Sequence, residues 1–191
     1  MTISRRRALG AIAAAAALPA LTGLPARAAD AEVIDARVNL ALSKLWEQVP
    51  GSQDLAARAK GMLIMPKVTK GGFIVGGAFG EGALRLNNPG TGYGPTVQYY
   101  SVSAASVGLQ IGIQTTGHAL FFLTDKALEK FREADGWEVG ADAEVTFPEK
   151  GVNIGIDSTS YEKPIVGIVF AEDGLLIGAS LEGAKYSTLV R

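Results

Sequence analysis

Between Ala31 and Val49 the apolar residues Ile34, Val38, Leu42, Leu45 and Val49 recur at three- and four-residue spacing. That spacing lays them along one face of an amphipathic helix, which Pro50-Gly51 ends. A second, short helix is expected at Gln53 to Lys60, with Ser52 as its N-cap. The period then changes. Met62 to Met65, Phe73 to Val75 and Ala83 to Leu86 are brief apolar or alternating runs separated by Gly, Asn and Pro, a pattern of strands and turns. Further strands are expected at Thr96 to Val102, Val107 to Gln114 and Ala119 to Leu123. Thr124 or Asp125 then caps a helix that carries Ala127, Leu128 and Phe131 and closes near Asp135-Gly136. Alternation resumes at Ala141 to Phe147, Val152 to Ile156 and Pro164 to Phe170; Asp173-Gly174 is a hairpin-type turn into a partner strand, Leu175 to Leu181.

Glycine bends this picture. Gly76, Gly77, Gly80, Gly82, Gly108, Gly112, Gly155, Gly167 and Gly178 all fall inside strand patterns. Glycine weakens a flat strand, but it permits coiling, bulges and close backbone approach. The expected fold class is therefore α+β: a glycine-rich, strongly curved antiparallel β-sheet, barrel-like or sandwich, with an N-terminal amphipathic helix and one further helix.

Ahead of the first helix, Ser4-Arg5-Arg6-Arg7-Ala8-Leu9 sets paired arginines before an alanine- and leucine-rich stretch broken by Pro19 and Pro25. This is the layout of a twin-arginine-type export signal. Ala26-Arg27-Ala28 supplies small residues for signal peptidase, so residues 1–28 are expected to leave after Ala28. Residues 29–191 would then form a single domain in the periplasm or secreted. An alanine-rich run broken by two prolines suits a membrane-spanning anchor poorly. Removing Arg5, Arg6, Arg7 and Arg27 takes the balance from 18 Lys and Arg against 19 Asp and Glu to 14 against 19, so the net charge moves from −1 to −5. No nucleic acid is expected as a partner, because that binding rests on neutralising phosphates with a basic surface. The chain has no cysteine, which removes disulfides, a lipid anchor at the signal's end, a thiol nucleophile and a cysteine-ligated zinc site.

Catalytic groups are sparse. His118 is the single histidine, and after Thr115-Thr116-Gly117 it is expected at a turn entering a strand, as a surface or capping residue. A hydrolase centred on it would draw on Ser101, Ser103 or Ser106, yet no Gly-x-Ser-x-Gly elbow is present. Asp142 and Glu144 alternate on one strand face and read as its wet side rather than a metal site. The run Gly76 to Gly82 leads into Ala83-Leu84-Arg85-Leu86, a strand, whereas a dinucleotide's pyrophosphate needs a helix there. No enzymatic activity, metal or cofactor is expected. Arg58, Lys60, Lys67 and Lys70 lie around the first strand beside Gly71-Gly72. Such cations, helped by glycine-turn amides, can hold phosphate headgroups; equally, lysines guard a strand edge. Trp46 has the same two readings, at headgroup depth in a membrane interface or on a helix that covers a sheet.

Read together, Ala59-Lys60-Gly61, Pro66-Lys67-Val68, Lys70-Gly71-Gly72-Phe73, Gly80-Glu81-Gly82, the string Ser106 to Gly112 (SVGLQIG) and the string Gly174 to Gly183 (GLLIGASLEG) resemble the SYLF domain family, over about Ala31 to Gly183. The resemblance implies a non-enzymatic lipid-binding module. Eukaryotic members are associated with phosphoinositide membranes and actin, and bacterial members are exported proteins or lipoproteins. It also implies that lipid contacts come from basic residues and an amphipathic helix near the domain's start, here the Arg37 to Lys70 region. On that footing Arg58, Lys60, Lys67 and Lys70 would meet polar headgroups while Trp46 and Phe73 meet the apolar part of a phospholipid or membrane surface. The charge of −5 favours apolar contact aided by a few local lysines. An envelope protein meeting the same helix is the alternative partner.

Overall fold

The computed structural model describes residues 30–72, 75–88, 90, 92–107, 112–148, 163–171, 174–176 and 181–191. The expected export signal, Phe73, the strand expected at Val152 to Ile156, and Ile177 to Ser180 of the last expected strand lie outside these residues. The elements are α1 (Ala31–Gln48), α2 (Ser52–Arg58), β1 (Gly61–Gly72), β2 (Val75–Asn88), β3 (Gly92–Val107), β4 (Gly112–Phe122), α3 (Asp125–Glu133), β5 (Trp137–Glu138), β6 (Ile165–Ala171), β7 (Gly174–Leu175) and β8 (Lys185–Leu189). All strand pairs are antiparallel, in one eight-stranded sheet of order β5-β8-β3-β2-β1-β4-β6-β7. The sheet curls into a half-barrel, so the chain is α+β with a strongly curved antiparallel sheet and an N-terminal helix, as the glycine pattern led us to expect.

Both faces of the sheet are buried, which explains why Met62-Leu63-Ile64-Met65 is apolar without interruption. Met62 and Ile64 point to one face with Ala119, Phe121, Val166 and Ile168, where α1 covers them with Ile34, Val38, Leu42 and Leu45. Leu63 and Met65 point to the other face, toward Leu120, Phe122, Tyr100 and Val102. There α3 inserts Leu128 and Phe131. Phe131 is the hub of this inner core, with the rings of Phe122, Tyr100 and Trp137 at 4.7, 4.8 and 5.2 Å. Thr124 caps α3 by accepting from the Ala127 N–H, as expected.

Ser52 differs from expectation. Gly51, in the left-handed region at φ 81°, takes the N-cap position of α2, and Ser52 is its first residue. The buried Ser52 hydroxyl donates instead toward the carbonyls of Leu45 and Val49, tying the end of α1 to the start of α2. The segment Ala141 to Phe147 differs too. It makes only isolated parallel bridges, Val139 with Ala143 and Thr146 with Val166. Its alternation reflects inward packing as the chain crosses from β5 to β6, where Val145 and Phe147 sit so close to Gly167 that a Cβ there would lie 2.7 Å from each.

The centre of the sheet carries a bulge. Ile64 pairs with Ala83 and Lys67 with Glu81, while Met65 pairs with His118 and Val68 with Thr116. Around Pro66, β1 therefore holds one residue more than either neighbour, which lets a proline sit in a central strand. Facing it, Gly82 approaches so closely that a Cβ would lie 2.0 Å from the Ile64 carbonyl oxygen.

His118 is a second correction. Rather than marking a turn, Thr115-Thr116-Gly117 continues β4, and His118 is buried between Met65 on β1 and Val169 on β6. Its Nε2 lies 3.1 Å from Thr116 Oγ1. Burial pushes its pKa down from 6.5 to about 4, so the ring is neutral at physiological pH. Between those two values the unfolded chain binds the proton that the fold refuses, so stability is lost as pH falls through this window. Denaturant titrations of the natural protein and a His118→Leu variant should show the natural protein losing about 2 kcal/mol more between pH 7 and pH 5. Parallel pH profiles would refute this account of the histidine.

Candidate functional site

Helix α1 has two unlike flanks. On one, Asp35 accepts hydrogen bonds from Thr96 Oγ1 and from the Tyr99 hydroxyl, and lies 3.9 Å from the Arg85 guanidinium. Arg85 Nη1 also donates to Asn39 Oδ1 at 2.8 Å. This polar clamp fixes the helix to β2 and β3. The opposite flank, half a turn round the helix, presents Arg37, Leu40, Ala41 and Lys44, and it does not close on the sheet.

A groove of about 680 Å³ remains there, between α1 and the bulged centre of the sheet. Leu40, Ala41, Pro66 and Phe170 make its walls apolar, and Thr115 and Gly117 of β4 complete its floor. Gly117 has to be small, because a Cβ would lie 2.4 Å from the Phe170 ring. Arg37, Lys44 and Lys67 line the same space, and no carboxylate does. Among the described residues, none of these cations forms an ion pair. The groove thus combines apolar surface with a cluster of positive charge, which suits an amphiphile with an anionic head.

The residues singled out in the sequence are spread over the molecule. Lys67 lines the groove. Lys70 follows Val68 on the other face by strand alternation, since Val68 belongs to the inner core. Lys60 and Arg58 stand at the opposite end of β1, where Lys60 faces Asp125 at 3.6 Å. That is on the order of 30 Å from Lys70 along an extended strand. Trp46 is half-buried and packs on the core beneath α1, and Phe73 lies outside the described residues. Arg37, Leu40 and Lys44, at i, i+3 and i+7 on α1, complete the groove that Lys67 enters. Their spacing marks one helix flank in the sequence, but nothing there indicates that the flank stays uncovered.

The other candidates stay apart. Ser101, Ser103 and Ser106 are on β3 and His118 on β4, with β1 and β2 between them. That is on the order of 10 Å even across a curled sheet, far beyond hydrogen-bond reach. Asp142 turns its carboxylate to the Glu138 N–H at 2.7 Å. Among the described residues no group of three acidic, histidine or cysteine side chains is placed to hold a metal ion, and no helix is long and apolar enough to cross a membrane.

A comparison with curated proteins finds no match. A comparison with protein families does, from the end of β3 through β8. Residues 103–189 match the family described as Ysc84, Las17-binding protein actin regulator, in agreement with the resemblance of the glycine-rich strings to the SYLF domain family.

Proposed function

We propose that this protein is a non-enzymatic lipid- or membrane-associating domain, acting in the bacterial periplasm after export through a twin-arginine-type signal. The observation that carries the reading is the groove beside α1, where Arg37, Lys44 and Lys67 line a space with apolar walls. An anionic headgroup would relieve repulsion among the cations, and an acyl chain or the membrane's upper hydrocarbon would cover Leu40 and Pro66. The overall charge of −5 expected after signal removal does not prevent this, because α1's Asp35 is held on the far flank by Thr96 and Tyr99. What matters is the local field.

Co-sedimentation of the mature protein with vesicles of phosphatidylglycerol in phosphatidylethanolamine tests the reading. The protein should pellet with these vesicles, and Lys67→Glu, a change of two charge units at about 1 kcal/mol each near the surface, should weaken binding about thirtyfold. Lys126→Glu on α3, behind the sheet, should have little effect. No pelleting with any bacterial lipid mixture would end the proposal.

A protein partner in the cell envelope is the second reading, and one observation favours it. Val33 and Leu40 leave large apolar side chains 41% and 61% exposed on the outer side of α1. A stoichiometric partner that co-purifies with the protein, and is lost on Leu40→Glu substitution, would support that reading over the lipid.

A further inference from the structure

Phe79 is the exception among the described phenylalanines. Phe121, Phe122, Phe131 and Phe170 are buried and Phe147 is partly buried, yet Phe79 is 56% exposed. Strand alternation explains where its ring points. Ala78 packs against the inner core, and a Cβ at Gly80 would lie against Val68 of that core, so Phe79 between them turns to the α1 side of β2. Its partners across the neighbouring strands are Thr69 and Ser103, whose side chains are too short to cover a ring. A single exposed apolar residue is ordinary. The setting of this one is not. Phe79 lines a recess of about 160 Å³ with Ile34, Arg37, Pro66 and Lys67, and Arg37, Pro66 and Lys67 line the larger groove as well, where Leu40 is 61% exposed. Two exposed apolar side chains, one from α1 and one from the sheet, thus flank the same two cations. Glu81, which also lines the recess, is engaged by Arg191 at 2.7 Å. Apolar groups beside lysine and arginine at one surface match the two layers of an anionic bilayer, headgroups outside and hydrocarbon beneath.

We propose that Phe79 is a membrane anchor on the sheet: its ring enters the interfacial layer of an anionic bilayer together with Leu40, while Arg37 and Lys67 between them meet the headgroups. The inference rests on the lipid-associating reading of the groove, and it extends the contact from α1 to β2. Attachment through both elements fixes how the domain sits, with α3 and the inner core turned away from the lipid.

Vesicles of phosphatidylglycerol in phosphatidylethanolamine, with bromine on the acyl chains, test the anchor in the full mature chain. Phe79→Trp should pellet like the natural chain, and the emission that it adds to that of Trp46 and Trp137 should shift to the blue and be quenched. Val97→Trp, in a cleft against α3 with Glu129 and Arg132, should not be quenched. Phe79→Ser should bind about tenfold more weakly, as expected for a ring that is half removed from water on binding. That ratio should persist in high salt, where the contribution of Lys67 fades. Equal quenching at positions 79 and 97 would overturn the proposal, because adsorption would then have no preferred face. If the natural chain binds, Phe79→Ser matches it and Phe79→Trp is not quenched, the anchor falls and the lipid reading stands. If the natural chain binds no vesicle, both fall; a co-purifying envelope protein lost on Phe79→Ser would then assign this face to a protein.

Discussion

Replacing Phe131 with alanine is expected to destabilise the protein by about 4 kcal/mol, the upper part of the range for removing a buried aromatic ring. Phe131 is fully buried inside the curl, and four aromatic rings contact it: Phe122, Tyr100 and Trp137 within 5.2 Å and Tyr186 at 6.4 Å. Those neighbours come from β4, β3, β5 and β8, so one side chain on α3 joins strands from both halves of the sheet. A cavity there cannot be filled by local collapse, because each wall is itself held in a backbone ladder. Urea unfolding followed by tryptophan fluorescence would report both the loss of stability and the release of Trp137. Phe131→Leu should keep more than half of that stability, since it fills part of the space. A loss below about 1 kcal/mol for Phe131→Ala would mean that α3 is not integral to the inner core.

The second large effect is expected where no side chain exists. A methyl group at Gly82 would lie 2.0 Å from the Ile64 carbonyl oxygen and 2.6 Å from Met65 Sδ. The thioether can move, but the carbonyl belongs to the central strand beside the Pro66 bulge. Gly82→Ala should therefore cost about 3 kcal/mol through displaced backbone, whatever alanine contributes in intrinsic preference. Gly77 on the same strand provides the contrast. A Cβ there meets nothing nearer than the Ala104 carbonyl oxygen at 3.7 Å, an ordinary contact. Gly77→Ala should leave stability unchanged or raise it by up to about 1 kcal/mol by restricting the unfolded chain. Equal effects at the two positions would show that glycine acts through general strand preference and not through close approach at the bulge.

The same bulge explains what could and could not be read from the residues alone. The apolar stripe of α1 at Ile34, Val38, Leu42 and Leu45 is visible because each member is buried against one continuous surface. Curvature was also legible, since glycines such as Gly82 have no other reason to interrupt alternating strands. Which face each lysine occupies was not. Strict alternation would put Lys67 with Leu63 and Met65, inside the curl; the extra residue at Pro66 moves it to the α1 side and sends Lys70 the other way. His118 was misread for a related reason. Thr115-Thr116-Gly117 has the composition of a turn, but the close approach of the Phe170 ring requires that glycine in mid-strand. The groove itself depends on pairs distant in sequence, Arg37 with Lys67 and Leu40 with Phe170, and no local pattern encodes such a meeting.

The position of β8 also bears on when the molecule becomes complete. Residues 185–189 pair with 99–103, more than eighty positions earlier, and β8 separates β3 from β5. Closing so long a loop delays that pairing relative to the hairpins formed by β1, β2 and β3, whose partners are close in sequence. Until β8 docks, Tyr186 is missing from the inner core and Arg191 has not reached Glu81. The contact between Arg191 and Glu81 is thus expected among the last to form, so that an incompletely folded chain would carry the groove's walls before the end of the chain is fastened across β3.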